Sequence, residues 1–405
     1  MRPVLSSRRP PVAAARALRF VLLIGTLSFF ADFTYEGARS VLGPFLAGMQ
    51  ASAVAVGWIS GGGELAGYGL RLLSGRLADA TRRFWPITIF GYVLQMASVP
   101  ALALAHSWQA AAVLIILERT GKAIRNPPRD VMLSQAGEQL GGYGWAFGVN
   151  EALDQFGALC GPLLVAAMMT WYGDYRRAFA VLIIPAALNL AFLALARWAY
   201  PRAAAPDQEP EPSDANAPLS ARFWRYLIAA GLVAAGFADY PLIAYHFTRA
   251  GSVPGADVAL FYAAAMATSG TASLALGRLY DRYGMRVLAA ATLVCAAFSP
   301  LVFLGGFWSA LVGMLLWGAG MGVHESIIPA AVAPMVPAAR RASAFGLFTA
   351  AYGVCWFVGS GVIGVLYHQS ALAAMLFCVI AQVAAVPAFM RLYDSGNPTA
   401  SGAKP

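Results

Sequence analysis

Apolar runs of about 18 residues or more recur from one end of this sequence to the other, and each is long enough to cross a hydrocarbon core roughly 30 Å thick. That repetition leaves few folds open. In lipid every backbone polar group needs a partner inside the structure, so only helices and closed barrels span a membrane. A barrel would show alternating segments of about ten residues, and no such segments stand out. Of 405 residues, 59% are apolar and 12% charged, against about 25% charged in a soluble domain. The expectation is an all-α membrane protein embedded in a lipid bilayer.

Twelve transmembrane helices can be drawn, with cores near 18–46, 53–79, 84–106, 108–136, 143–171, 176–199, 222–249, 256–280, 285–306, 308–336, 341–367 and 370–392. One connection stands apart. RAAAPDQEPEPSDANAPLS, residues 202–220, is rich in Pro, Ala and acidic residues and has no apolar periodicity, which reads as a flexible linker. The expected division is an N-terminal six-helix bundle over 1–200, a cytoplasmic linker over 201–220 and a C-terminal six-helix bundle over 221–405.

The net charge of +9 raises the question of nucleic acid, and arginine placement answers it. With the N-terminus in the cytoplasm, Arg16, Arg76, Arg82, Arg83, Arg222, Arg282, Arg286 and Arg391 fall on that side; the outside keeps mainly Arg176, Arg177 and Arg249. Cytoplasmic loops gather positive charge, so both termini are expected inside and no nucleic-acid partner is needed. The opening RRPPVAAARALRFVLLIG is like a signal peptide, but its apolar run is too long and lacks a cleavage site, so it reads as a retained first helix. Cys160, Cys295, Cys355 and Cys378 lie scattered within spans; they read as small buried hydrophobes, with neither disulfide nor metal-ligand spacing. No nucleophile–base pair or G-x-x-x-x-G-K-[ST] loop is evident. The chain is therefore expected to be no enzyme, with no cofactor and no ATP drive.

The two halves repeat each other. FADF at 30–33 returns as FADY at 237–240, GRLADATRR from Gly75 as GRLYDRYGMR from Gly277, and AFG at 146–148 as AFG at 344–346. Gly121 and Pro128 have counterparts in Gly322 and Pro329, so the separations run from 198 to 207 residues. Matches in order at a nearly constant offset indicate a duplicated six-helix unit, a plan known among transporters, with the substrate site between the repeats.

With these features the chain resembles the major facilitator superfamily over nearly its whole length. The most specific likeness is the G-x-L-x-D-x-x-G-R motif between spans two and three. Here Gly75, Leu77, Asp79 and Arg83 match and Arg82 stands in the place of a Gly; the second copy keeps Gly277, Leu279, Asp281, Arg282, Gly284 and Arg286. The resemblance implies that Asp79 and Asp281 pair with arginines or a neighbouring helix end, a latch holding one conformation of a rocking bundle; a static loop salt bridge is the alternative. In span five, GALCGPLL resembles the G-x-x-x-G-P core typical of antiporters in this superfamily, with Val165-Ala166 where its closing Gly pair would stand. Gly157 and Gly161 allow close helix approach, and Pro162 is expected to kink the helix. Ordinary small-residue packing would read the same.

Charged residues inside spans remain to be explained, because a charge at mid-bilayer costs several kcal/mol. Asp32, Glu36 and Arg39 share one face of the first helix; that face points into a wet cavity between the halves or locks the helix to a neighbour. Glu64 and Arg71 follow Gly61-Gly62-Gly63 near one face of span two. In LERTGKAIRNPPRD, Glu118 and Lys122 can pair at i,i+4, Lys122, Arg125 and Arg129 make a basic stripe, and Pro127-Pro128 should break or bend the helix. Arg125 faces the cavity, snorkels, or joins the latch. Glu151 and Asp154, beside Asn150 and Gln155, form an acidic patch of the kind a proton carrier needs. Asp239 repeats Asp32, with His246 seven residues on. His324-Glu325 lies in span ten, and imidazole titrates closest to physiological pH. HESIIP lacks the second His of HExxH, so no metal site is expected.

The expected function is proton-coupled secondary transport in a bacterial inner (cytoplasmic) membrane: efflux by antiport of a small organic amphiphile, a drug, siderophore or metabolite. Its partners would be that substrate, protons and lipid, and its unit a monomer. The alternatives are an importer or uniporter of a small organic solute, and a non-transporting membrane sensor of the same fold.

Overall fold

The computed structural model describes residues 11–140, 143–201, 219–332, 335–336 and 341–394, and within its helices the side chains of Asp79, Glu151 and Asp281 lie outside the described residues. The linker expected over 201–220 falls almost wholly outside them as well. Every regular element among the described residues is helical, and they form twelve rods. These are α1 (Pro11–Gly48), α2 (Ala53–Thr81), α3 (Phe84–Ala101 with a 3₁₀ turn Leu102–Leu104), α4 (Trp108–Gln139), α5 (Tyr143–Tyr172) and α6 (Tyr175–Val181 with Ile183–Ala199). The other six are α7 (Ala221–Ala235 with Tyr240–Ala250), α8 (Gly255–Tyr283), α9 (Met285–Cys295 with Phe298–Phe303), α10 (Phe307–Ala330), α11 (Arg341–Gln369) and α12 (Ala371–Asp394). Short polar caps start several rods: Ser52, Asp174 and Ser220 each accept a hydrogen bond from a backbone N–H two or three residues on, satisfying donors a helix leaves open.

Ten of these stretches are long and apolar enough to cross a membrane. The other two rods, α2 and α4, carry Glu64, Arg71 and Arg76, and Glu118 to Asp130, which lower their hydropathy. The outward surface bears large apolar side chains such as Phe90, Leu104, Ile228 and Ile380, and Trp171, Trp198 and Trp308 stand exposed at rod ends, as in an interfacial aromatic belt. This is an all-α, multi-pass membrane protein.

Several backbone irregularities depart from the sequence expectations. Pro127 and Pro128, expected to break or bend α4, do not break it: the helix runs through both. A Pro at 127 removes the N–H that would bond the Ala123 carbonyl, and Ser74 Oγ of α2 donates to that carbonyl instead, at 3.0 Å. α7 is broken at Gly236–Asp239, where its repeat partner in α1 is continuous. The freed Gly236 and Ala238 carbonyls accept Gln382 Nε2 (3.1 Å) and Trp317 Nε1 (2.9 Å). In α10 the stretch Val323–Ile327 is a π-helix, a local form often found at functional sites. Arg82, in place of the motif's glycine, adopts φ 54° as the cap of α2, and its counterpart Gly284 has φ 61°. The two turns differ, however: Arg82 has ψ 20°, the left-handed helical region, and Gly284 has ψ −138°, so replacing the glycine goes with a different turn.

The rods join differently at their two ends. One end, the terminus-bearing end, carries the start of α1, the end of α12, the end of α2 and the start of α5; the other carries the α1–α2 and α7–α8 turns. At this second end one hydrophobic core runs across both sets of six rods, from Val41 and Phe45 to Ile243 and Ile363. A methyl at Gly57 of α2 would lie 3.1 Å from Gly364 Cα of α11, and one at Gly61 would lie 2.9 Å from the Phe357 carbonyl oxygen. Toward the terminus-bearing end the first six rods close on a core of their own, including Phe20, Trp85, Met132 and Leu193. There Gly67, Gly69 and Gly277 have open space where a side chain would be.

Candidate functional site

The gap left between the halves is a cavity of about 720 Å³ running from mid-bundle toward the terminus-bearing end, lined by α1, α2, α4, α5, α8, α10 and α11. On the closed side of Arg39 lies an apolar void of about 20 Å³ bounded by Leu42, Leu46, Ile59 and Pro241.

The charged face of α1 forms the inner wall. Its i, i+4, i+7 spacing puts Asp32, Glu36 and Arg39 in line, and each reaches a different helix. Asp32 lies 3.4 Å from Lys122 Nζ and 3.7 Å from Arg125 of α4. Glu36 accepts a hydrogen bond from the Tyr262 hydroxyl of α8 at 2.5 Å. Arg39 lies 3.1 Å from Asp239 at the break in α7, and 3.7 Å from Glu64. Trp356 Nε1 donates to the second Asp239 oxygen at 3.3 Å. The Tyr240 hydroxyl lies between two carbonyls, Val258 at 2.7 Å and Ser40 at 3.0 Å. Three of these contacts, through Asp239, Tyr262 and Tyr240, cross between the halves. Arg39 is 4% exposed and Asp239 2%, so each charge depends on the other for its solvation.

The basic stripe of α4 is longer than the sequence suggested. Arg119 pairs with Glu64 at 2.7 Å. Lys122 and Glu118 do not pair with each other: Lys122 turns to Asp32, and Glu118 accepts from Gln95 Nε2 at 2.9 Å. Arg125, 1% exposed, donates Nε to Gln95 Oε1 at 2.6 Å and stacks over Tyr92. Arg129 pairs with Asp130 at 2.7 Å and donates to Ser28 at 2.9 Å. Arg119, Lys122 and Arg39 all lie within 6 Å of the Tyr35 ring centre, where the ring's negative face attracts cations. Arg119 was missed in the sequence, although it continues the same three-to-four-residue stripe one turn back. Gln95, an uncharged residue on α3, gave no sequence signal.

The remaining expected residues divide. Glu64, Arg71, Asp154 and Glu325 line the cavity, as does His324, whose Nδ1 is hydrogen-bonded to the Tyr352 hydroxyl. Asp154 accepts from Asn150 at 3.2 Å. Asp239 lies behind the wall and meets the cavity through Arg39. His246 sits elsewhere, on the Tyr367 hydroxyl at 2.8 Å. The Glu151 side chain is outside the described residues. So are Asp79 and Asp281 of the expected latch; of its other members, Gly75 faces Pro127 and Arg83 is exposed, while Arg282 is exposed and stacks on Tyr283. Gly157 and Gly161 bring α5 onto the α1 backbone at Phe29, Phe33 and Gly37, and α5 continues through Pro162.

A family model described as Major Facilitator Superfamily matches residues 22–360 and 240–405. An uncharacterised protein of Mycobacterium tuberculosis is 40% identical over 374 residues, 91% of each chain. An uncharacterised MFS-type transporter of Methanocaldococcus jannaschii is 31% identical over 144 residues, 36% of each chain. Among solved structures, the nucleoside transporter NupG superposes with a TM-score of 0.73 at 16% identity, covering 92% of this chain and 99% of that one. A peptide transporter POT does so at 0.71 and 15%, covering 92% and 93%. At such identity the structures speak for the fold.

Proposed function

We propose that this chain, which belongs to the Major Facilitator Superfamily, is a proton-coupled exporter of a small organic amphiphile such as a drug, siderophore or metabolite. The observation that carries this reading is the pairing of buried charges across the two six-helix halves at the inner wall of the cavity, Arg39 with Asp239, beside the Glu36–Tyr262 hydrogen bond. Protonation of Asp239 or Glu36 would remove a buried negative charge from that seam and favour its parting. Substrate would fill the cavity in the other state. Coupling then needs only that proton and substrate prefer different states.

The arginine bias supports cytoplasmic termini in a bacterial inner membrane, with the cavity facing the cytoplasm, where an exporter takes up cargo. The antiporter-like Gly157–Pro162 stretch supports export, and the unit is proposed to be a monomer. Residues 1–200 and 221–405 would move as two bodies about the seam.

Metabolite profiling of medium from cells with and without the gene should identify an exported compound. Inverted vesicles should then accumulate it under a pH gradient, and right-side-out vesicles should not; the opposite polarity would mean import, and neither would leave a sensor. Glu36→Gln should abolish the proton-driven accumulation while the variant still folds. Full activity of that variant from acid to alkaline pH would remove Glu36 from the coupling.

A further inference from the structure

Six cations line the cavity, and five of them face carboxylates of the chain: Arg39 with Asp239, Arg119 with Glu64, Lys122 and Arg125 with Asp32, and Arg129 with Asp130. Arg71 is different. Among the described residues no carboxylate lies within ion-pair distance of it, Glu64 acting on it only from further off, and its buried Nε, like that of Arg39, has no hydrogen-bond partner. Its guanidinium lies 5.7 Å from the centre of the Tyr68 ring, which packs against Gly353 of α11. An unpaired donor removed from water is costly to leave, and a guanidinium presents a planar fork that suits an oxyanion.

The opposite wall has another character. Met266 and Leu274 of α8, Met321 of α10 and Trp356 of α11 place apolar side chains there, beside the polar Ser273, His324, Glu325 and Ser326. A ligand spanning the cavity therefore meets a cation without an ion pair on α2 and, on the second half, apolar side chains set among polar ones.

We infer that Arg71 is the anion-binding residue of the transport cavity, and that the cargo is an amphipathic organic anion: a carboxylate or similar oxyanion on an aryl or alkyl body. This rests on the transporter reading above and narrows its cargo. The acidic group pairs with Arg71 beside Tyr68, and the body lies on the Met266–Met321–Trp356 surface.

The test uses 2-naphthoate and its uncharged analogue 2-naphthamide, by equilibrium dialysis against the full chain in nanodiscs with empty discs subtracted. Wild type should bind the acid at least about tenfold more tightly than the amide, as expected for a hydrogen-bonded charge. Arg71→Gln should lower acid affinity to that of the amide and leave amide affinity unchanged. Equal affinities in the wild type, absence of binding included, overturn the assignment, and so does an acid preference that survives in R71Q. Should R71Q lose its fold, Arg71→Lys decides: its ammonium should keep the preference, and equal affinities there overturn the assignment. If the acid preference fails while vesicle export stands, the anion site alone falls; if it holds while no proton-driven flux is found, the transport reading falls instead.

Discussion

Arg39 illustrates what a single side chain can show in a sequence. Its spacing from Asp32 and Glu36 places all three on one helical face, because helical geometry is local. Its partner Asp239 is 200 residues away, and no local pattern names it. Removing one member of a buried ion pair strands the other, at a cost of about 3–5 kcal/mol in well-packed sites. Asp239→Asn and Arg39→Gln should each lower the unfolding midpoint in detergent. The double variant R39Q/D239N should lose less than the two single losses together, with about 1 kcal/mol or more of coupling. Strict additivity would show that the pair does not hold the halves together. The same logic separates Asp154, with its neighbour Asn150 only four residues away, from Glu36, whose hydroxyl partner Tyr262 comes from another half.

At the scale of one helix, proline shows where local reasoning stops. Pro127-Pro128 reads as a break or a bend because the chain loses donors, and the helix is unbroken where α2 packs close enough for Ser74 to satisfy the abandoned Ala123 carbonyl. Ser74→Ala should therefore destabilise the fold by about 1–2 kcal/mol, the cost of an unpaired buried acceptor. Adding Pro127→Ala should recover most of that, since the restored N–H can bond Ala123 within α4. Thermal melts of the two variants check this, and no recovery in the double variant would mean that Ser74 acts through packing alone. The break in α7 and the π-turn in α10 were equally invisible. Their hydrogen bonds go to Gln382, Trp317 and other side chains that reach them only after the rods are assembled.

For the molecule as a whole, the decisive feature is asymmetry between the ends. One end is sealed by backbone-to-backbone contact through Gly43, Gly57 and Gly61, and the cavity extends from mid-bundle toward the other. If the halves rock, a larger residue at the sealed end should hold it apart. Gly57→Val should speed maleimide modification of a Ser360→Cys probe, read at that residue by mass spectrometry, because Ser360 is 2% exposed in the sealed form. Equal or slower labelling in G57V would mean that the seam does not open.

Apolar run length determined, from the sequence alone, that this chain is a helical membrane protein with charged faces to conceal; arginine bias and the repeat at near-constant offset supplied expectations of orientation and duplication beside it. Each of those signals is local or periodic, and the chain carries it without folding. Which cation meets which carboxylate, which carbonyl a proline orphans and a serine rescues, and which end of the bundle is shut were decided only by tertiary structure. Those outcomes depend on the mutual rotation and depth of rods far apart in sequence, and side-chain polarity records only that a residue needs a partner.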